Sequence, residues 1–170
     1  MAGFILIHGY VLWFFWTFFG IFQIASNRYM KHHWRNHLLW HRISGAAVLV
    51  ATLYYAGRAL YMIGIPLKDD VHAPMGFSVL CTILIIVISG VIARSRMNRA
   101  TSSMAKVHNY KHVHKFLGYL MIVAANLTVS FGIYSYSVNH EFSTNLYWMS
   151  FSFFLLLFAA LETRHQNFLS

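Results

Sequence analysis

The sequence predicts an all-α integral membrane protein: a four-helix transmembrane bundle with a fifth transmembrane helix beside it. Two observations carry this expectation. Of 170 residues, 58% are hydrophobic and 10% charged, with a mean hydropathy of +0.54. Soluble domains average about 25% charged residues, so there is too little charge here to cover a water-facing globule. The apolar residues also fall into five continuous runs that do not alternate, which favours helices over barrel strands. The same composition excludes a soluble enzyme, a coiled coil and linker-rich material. A single cysteine, Cys81, excludes an internal disulfide framework or a thiolate cluster.

The runs cover residues 4–26, 43–56, 71–93, 116–138 and 146–161. The first is apolar on all sides, as expected of a helix buried in lipid or protein. It has no basic residues before it and no small-residue cleavage site after it, so it reads as a retained span rather than a signal. The second reaches spanning length once Arg42 and Arg58 snorkel at its ends. The fifth is short, and Asn145 and Glu162 extend it at the interfaces. Residues 1–140 form the expected four-helix core, and 141–170 the fifth helix with a short tail.

Five spans place the termini on opposite sides. On the side away from the N-terminus, side B, fall Arg28, Lys31, Arg35, Arg42, Arg94, Arg96, Arg99, Lys106, Lys111, Lys115 and Arg164. Side A receives Arg58 and Lys68, with Asp69, Asp70 and Glu141. The positive-inside rule makes side B cytoplasmic, or matrix-facing in a mitochondrion. The net charge of +9 is then topological and implies no nucleic-acid partner, although docking of an acidic partner stays open.

Eleven histidines are many for such a chain. His32, His33, His37, His108, His112, His140 and His165 fall in loops or at interfaces, where a solvated imidazole is ordinary. His8, His41, His72 and His114 each stand just inside the start of a span, where ionisable residues are uncommon and mark function. Because the chain alternates direction, His8 and His72 share a depth near side A, and His41 and His114 a depth near side B. Two imidazole pairs at two depths are what two bis-histidine haems in a four-helix bundle require. The two pairs are too far apart to complete one tetrahedral zinc shell.

Small residues fit this reading. Gly45, Gly76 and Gly118 lie four residues after His41, His72 and His114, on nearly the same face, where a flat ring needs space. His8 has Gly9 beside it. Five helical turns after each histidine stand Ser26, Ala59, Gly90 and Gly132, expected to face the other haem. Arg42 and Lys115 adjoin the side-B histidines and suit either a propionate or snorkelling to the interface. Asn126, Thr128 and Ser130 read as interhelical hydrogen-bonding residues. Trp34, Trp40 and Trp148 read as interfacial belt residues.

These motifs resemble the cytochrome b561 family, in particular the membrane module of its DOMON-linked members, here without the DOMON domain. The similarity runs over about residues 8–135. It rests on His8-Gly9, Trp16, Gly20 and Arg28-Tyr29; on WHRISG around His41; on VHAPMGF around His72 with SGVIAR closing that span; and on HKFLGYLMIVAANLTVSFG from His114. The resemblance implies two haem b groups, ligated across spans 1 and 3 and spans 2 and 4, that carry electrons across the bilayer between a donor and an acceptor on opposite faces. Members of the family commonly act as ascorbate-dependent or ferric reductases. A second expectation from the sequence is an accessory or structural subunit of a larger membrane assembly, such as a respiratory complex, that has inherited this fold with or without haem; other membrane subunits or a second copy are the partners it implies.

Overall fold

A computed structural model describes residues 2–30, 34–63, 71–97, 104–137 and 141–169. Every regular element among them is helical: α1 (Ala2–Phe14), a π-helical turn (Phe15–Gly20), α2 (Ile21–Arg28), α3 (His37–Ile63), α4 (His72–Met97), α5 (Met104–Ser137) and α6 (Glu141–Leu169). The residues flanking the π turn keep right-handed helical dihedrals, so α1, the turn and α2 form one rod. Five stretches are long and apolar enough to cross a membrane: Gly3–Arg28, His37–Met62, His72–Ser95, Asn109–Tyr134 and Asn145–Arg164. Lys31, His32, His33, Lys68, Asp69, Asp70, Arg99 and His140 lie outside the described residues, as do the side chains of Arg96, Lys106, His108, Glu141 and His165.

The helices overrun the charge-free runs. The fourth span shows this most: the charge-free run opens at residue 116, whereas α5 opens at Met104. Lysine and arginine are good helix formers, and at an interface their stems lie along the helix while the charged ends reach water. Charge therefore marks where the apolar layer ends, not where the helix ends.

The α1–α2 rod packs on α3, α3 on α4, α4 on α5, and α5 returns to the rod, closing a ring of four. Inside it sit Trp16, Val48, Val79, Ile83, Ile86, Met121 and Ala125. Lipid tails are as apolar as these side chains, so helix association rests on packing and interhelical hydrogen bonds rather than on escape from water. The buried hydroxyls divide between bonds within one helix and a bond across the bundle. Ser44, Thr52 and Thr128 bond back to the carbonyls of Trp40, Val48 and Ala124 on their own helices. Thr17, fully buried, donates to Asn126 Oδ1 across the bundle at 3.2 Å.

The fifth span, α6, lies outside the ring against α5 and the π turn. It runs parallel to the first rod and is joined to it at successive levels. Trp13 Nε1 donates to Ser150 Oγ at 3.2 Å, Phe18 meets Phe154 edge-on at 5.0 Å, and Tyr29 meets Phe158 at 5.8 Å. At the far end Arg28 grips Glu162 with two hydrogen bonds, from Nε to Oε2 at 2.8 Å and from Nη2 to Oε1. The Tyr29 hydroxyl donates to the same Oε2 at 2.8 Å. Burial, then this bond to the carboxylate, pushes the Tyr29 phenol up to about 12, so it remains a donor at neutral pH. On the α5 side, the Tyr147 hydroxyl donates to the Asn126 carbonyl at 2.8 Å.

Both members of the Arg28–Glu162 pair are partly sheltered, with side chains 26% and 29% exposed. A bidentate, charge-assisted contact of this kind stabilises by about 1.5–3 kcal/mol in partly buried settings. Glu162→Gln is expected to lower stability by about that much, and Tyr29→Phe by about 1 kcal/mol, in equilibrium unfolding in mixed micelles.

Candidate functional site

Each of the four span-entry histidines uses Nδ1 in the same way. His8 Nδ1 bonds the Tyr55 carbonyl at 3.2 Å, His41 that of Gln23 at 2.9 Å, His72 that of Thr128 at 2.8 Å and His114 that of Ile86 at 3.1 Å. A carbonyl oxygen only accepts, so Nδ1 carries the hydrogen and the neutral ring keeps its lone pair on Nε2. The bonds are reciprocal. The first rod and α3 each donate a histidine to the other's backbone, and α4 and α5 do the same.

Across these two hairpins the rings meet in pairs. His8 and His72 stand 6.1 Å apart between centroids with planes at 90°. His41 and His114 stand 6.3 Å apart with planes at 73°. These are the pairings expected from alternating helices and equal depth. Two metal–imidazole bonds of about 2.0–2.1 Å, with each ring nitrogen about 1.1 Å from its own centroid, place a trans-ligated pair about 6.3 Å apart. Spacing, tautomer and the hydrogen-bonded Nδ1 therefore all fit a metal held between two Nε2 atoms. Among the described residues no three or more His, Cys, Asp or Glu side chains converge, so each pair offers two protein ligands.

The accepting carbonyls share one spacing. Tyr55 follows His41 by 14 residues, Ile86 follows His72 by 14, and Thr128 follows His114 by 14. Fourteen residues are close to four turns, about 21 Å along the axis, so histidine and acceptor lie on one face at opposite ends of a helix. On the first rod the spacing from His8 to Gln23 is 15. The extra residue is taken up by the π turn, Phe15–Gly20, whose wider hydrogen-bonded loop holds one residue more. The turn also points Trp16 and Thr17, adjacent in sequence, into the bundle.

Two of the small residues stand against a histidine of the opposite pair. A Cβ on Gly132 would lie 2.6 Å from His72 Cε1, and one on Gly90 would lie 2.9 Å from His114 Cε1. These two glycines face the imidazole itself and let it reach a backbone carbonyl one turn away. Ala59 lines the cavity at His8, and Ser26 is fully buried. Of the glycines placed four after a histidine, Gly118 has open space beside it, and Gly76 lines the cavity with Thr128 Cγ2 at 3.7 Å. Gly45 is a correction: the Gln23 amide occupies its space, with Nε2 2.6 Å from where a Cβ would stand. The reason is the hairpin packing, which brings the acceptor residue of the neighbouring rod over that glycine.

At the A end the His8–His72 pair opens into a cavity of about 350 Å³. Its floor is a layer of Trp16, Thr52, Val79 and Ala125. Gly9, Tyr10, Leu146 and Tyr147 also line it, so it continues outward between α1 and α6 above the Trp13–Ser150 bond. Gly9 lies one turn from Trp13 on the same face and has nothing within 4 Å of its Cβ position. Arg42 and Lys115 are exposed beside the B-end pair, and His37 is half-buried with Nδ1 bonded to the Trp34 carbonyl. Sequence reasoning missed the acceptors and Gln23. Every residue carries a carbonyl, so no letter in the sequence marks the ones the histidines use.

Alanine substitutions are expected to separate the glycines. Gly132→Ala and Gly90→Ala force an imidazole to move and cost about 1–3 kcal/mol. Gly118→Ala meets open space and gains up to about 1 kcal/mol from helix propensity. Equilibrium unfolding of the three variants checks the order. In comparisons with known proteins, no family model, curated protein or solved structure matches this chain.

Proposed function

We propose that this protein binds two b-type haems, one between His8 and His72 and one between His41 and His114, and carries electrons from one face of a membrane to the other. The observation that supports it best is the pair of imidazole separations, 6.1 and 6.3 Å, each joining rings whose Nδ1 atoms are already bonded to backbone. A haem held by two of these imidazoles would supply a reversible one-electron couple. The protein supplies the rest.

The backbone carbonyls of Tyr55, Gln23, Thr128 and Ile86 fix the ring orientation and raise imidazole basicity. Gly90 and Gly132 give the rings room to reach those carbonyls. The buried cluster of Trp16, Val48, Val79, Ile83, Met121 and Ala125 keeps water out of the middle of the bundle. The exposed cations Arg42 and Lys115 suit carboxylates at the B-end site by charge-assisted bonding. The excess of basic residues at that end orients it toward the cytoplasm or the mitochondrial matrix. An electron donor and an acceptor then work at opposite faces.

Purified full-length chain is expected to give two haems per polypeptide in a pyridine haemochrome assay. His8→Ala and His72→Ala are expected to remove one spectral component, and His41→Ala and His114→Ala the other. Absence of haem in protein purified from haem-replete cells overturns the reading, and a component shared by His8 and His41 overturns the pairing.

A further inference from the structure

The two histidine pairs are built alike except at one position. Three residues after each accepting carbonyl stand Arg58 and Phe131 at the A end, but Ser26 and Ser89 at the B end. Both serines turn their hydroxyl onto the carbonyl that the histidine uses. Ser26 Oγ donates to the Gln23 carbonyl at 3.1 Å, beside His41 Nδ1 at 2.9 Å. Ser89 Oγ donates to the Ile86 carbonyl at 2.7 Å, beside His114 Nδ1 at 3.1 Å. Ser89 Oγ also lies 3.2 Å from His114 Nδ1. Among the described residues no hydroxyl shares the Tyr55 or Thr128 carbonyl in this way.

We propose that Ser26 and Ser89 are positioning residues that raise the reduction potential of the B-end site above that of the A-end site, and so bias electrons toward the B end. This rests on the haem reading above.

The chemistry is competition for one acceptor. A carbonyl that takes a strong bond from Nδ1–H draws the proton away from the ring and makes the imidazole a better donor to the metal, which favours the oxidised state. A hydroxyl donating to the same oxygen withdraws electron density from it and weakens its pull on the imidazole proton. At the B end both imidazoles are weakened in this way, and among the described residues no hydroxyl does the same at the A end. The exposed cations beside the B-end pair act in the same direction, because positive charge favours the reduced state. Cations at an interface are screened by salt, whereas Ser26 is fully buried, so its contribution persists at high ionic strength.

The test uses full-length haem-loaded protein in lipid nanodiscs, with each spectral component titrated potentiometrically and the B-end component assigned as the one lost in His41→Ala. Ser26→Ala and Ser89→Ala are each expected to shift the B-end midpoint to more negative potential. The double variant is expected to shift it further, the A-end midpoint is expected to stay in place, and Ser89→Thr, which keeps a hydroxyl, is expected to retain the original value. High salt is expected to leave the serine-dependent shift intact. An unchanged or more positive B-end midpoint at normal haem occupancy overturns the proposal. Loss of the B-end haem from both alanine variants also overturns it, since the serines would then serve assembly. If the wild-type chain holds no haem, the functional reading fails instead, which a haem assay on the same sample shows directly.

Discussion

An imidazole inside a bilayer has an N–H with no water to receive it. That requirement organises the bundle. An unmet polar group in hydrocarbon costs several kcal/mol, so each of the four histidines must find an acceptor within the protein. All four find a backbone carbonyl on the neighbouring helix. The solution demands that helices approach closely, which is why Gly90 and Gly132 stand under the rings of His114 and His72. It also ties the helices into two reciprocal hairpins, the first rod with α3 and α4 with α5. With Nδ1 engaged, the basic nitrogen that remains is Nε2, and the two hairpins pack so that these rings pair across the interface.

Much of this was legible in the sequence, and the illegible part has a physical explanation. Five apolar runs gave five spans because charge exclusion is the strongest constraint lipid imposes. His8, His41, His72 and His114 stood out because ionisable groups at that depth are uncommon, and alternation of direction sufficed to pair them. Gly90 and Gly132 were found by helical spacing, and each stands against a histidine of the pair at the far end from its own helix's histidine; how closely they adjoin those imidazoles depends on the packing of the helices. The acceptors escaped because every residue carries a carbonyl, so nothing in the letters Tyr55, Gln23, Thr128 or Ile86 marks one as special. Gln23 over Gly45 escaped because it depends on how two rods pack. The strapping of α6 by Arg28 and Tyr29 through Glu162 spans more than 130 positions, beyond the reach of any local pattern.

The two ends of the bundle are similar in plan and different in surroundings. The A end opens into an apolar cavity that reaches outward past Gly9 toward the bilayer. The B end carries exposed cations and two serines that share the histidines' acceptors. Between them lies a close-packed core whose one large aromatic, Trp16, forms part of the A-end floor while belonging to the buried cluster at the centre. The two histidine pairs, alike in plan, thus sit in different surroundings.

The π turn at Phe15–Gly20 bears on how such a chain is compared with others. A helix pinned at both ends cannot pass an inserted residue along its length, because every later side chain would swing by about 100°. It must absorb the residue on the spot, and a widened turn is the form that absorption takes. The first rod is therefore one letter longer than the other three over the same physical interval. A superposition of the four helices without a gap at this turn loses phase halfway along the first of them, and the shared spacing from histidine to acceptor disappears from view. Evolutionary bookkeeping for this bundle has to count turns rather than residues.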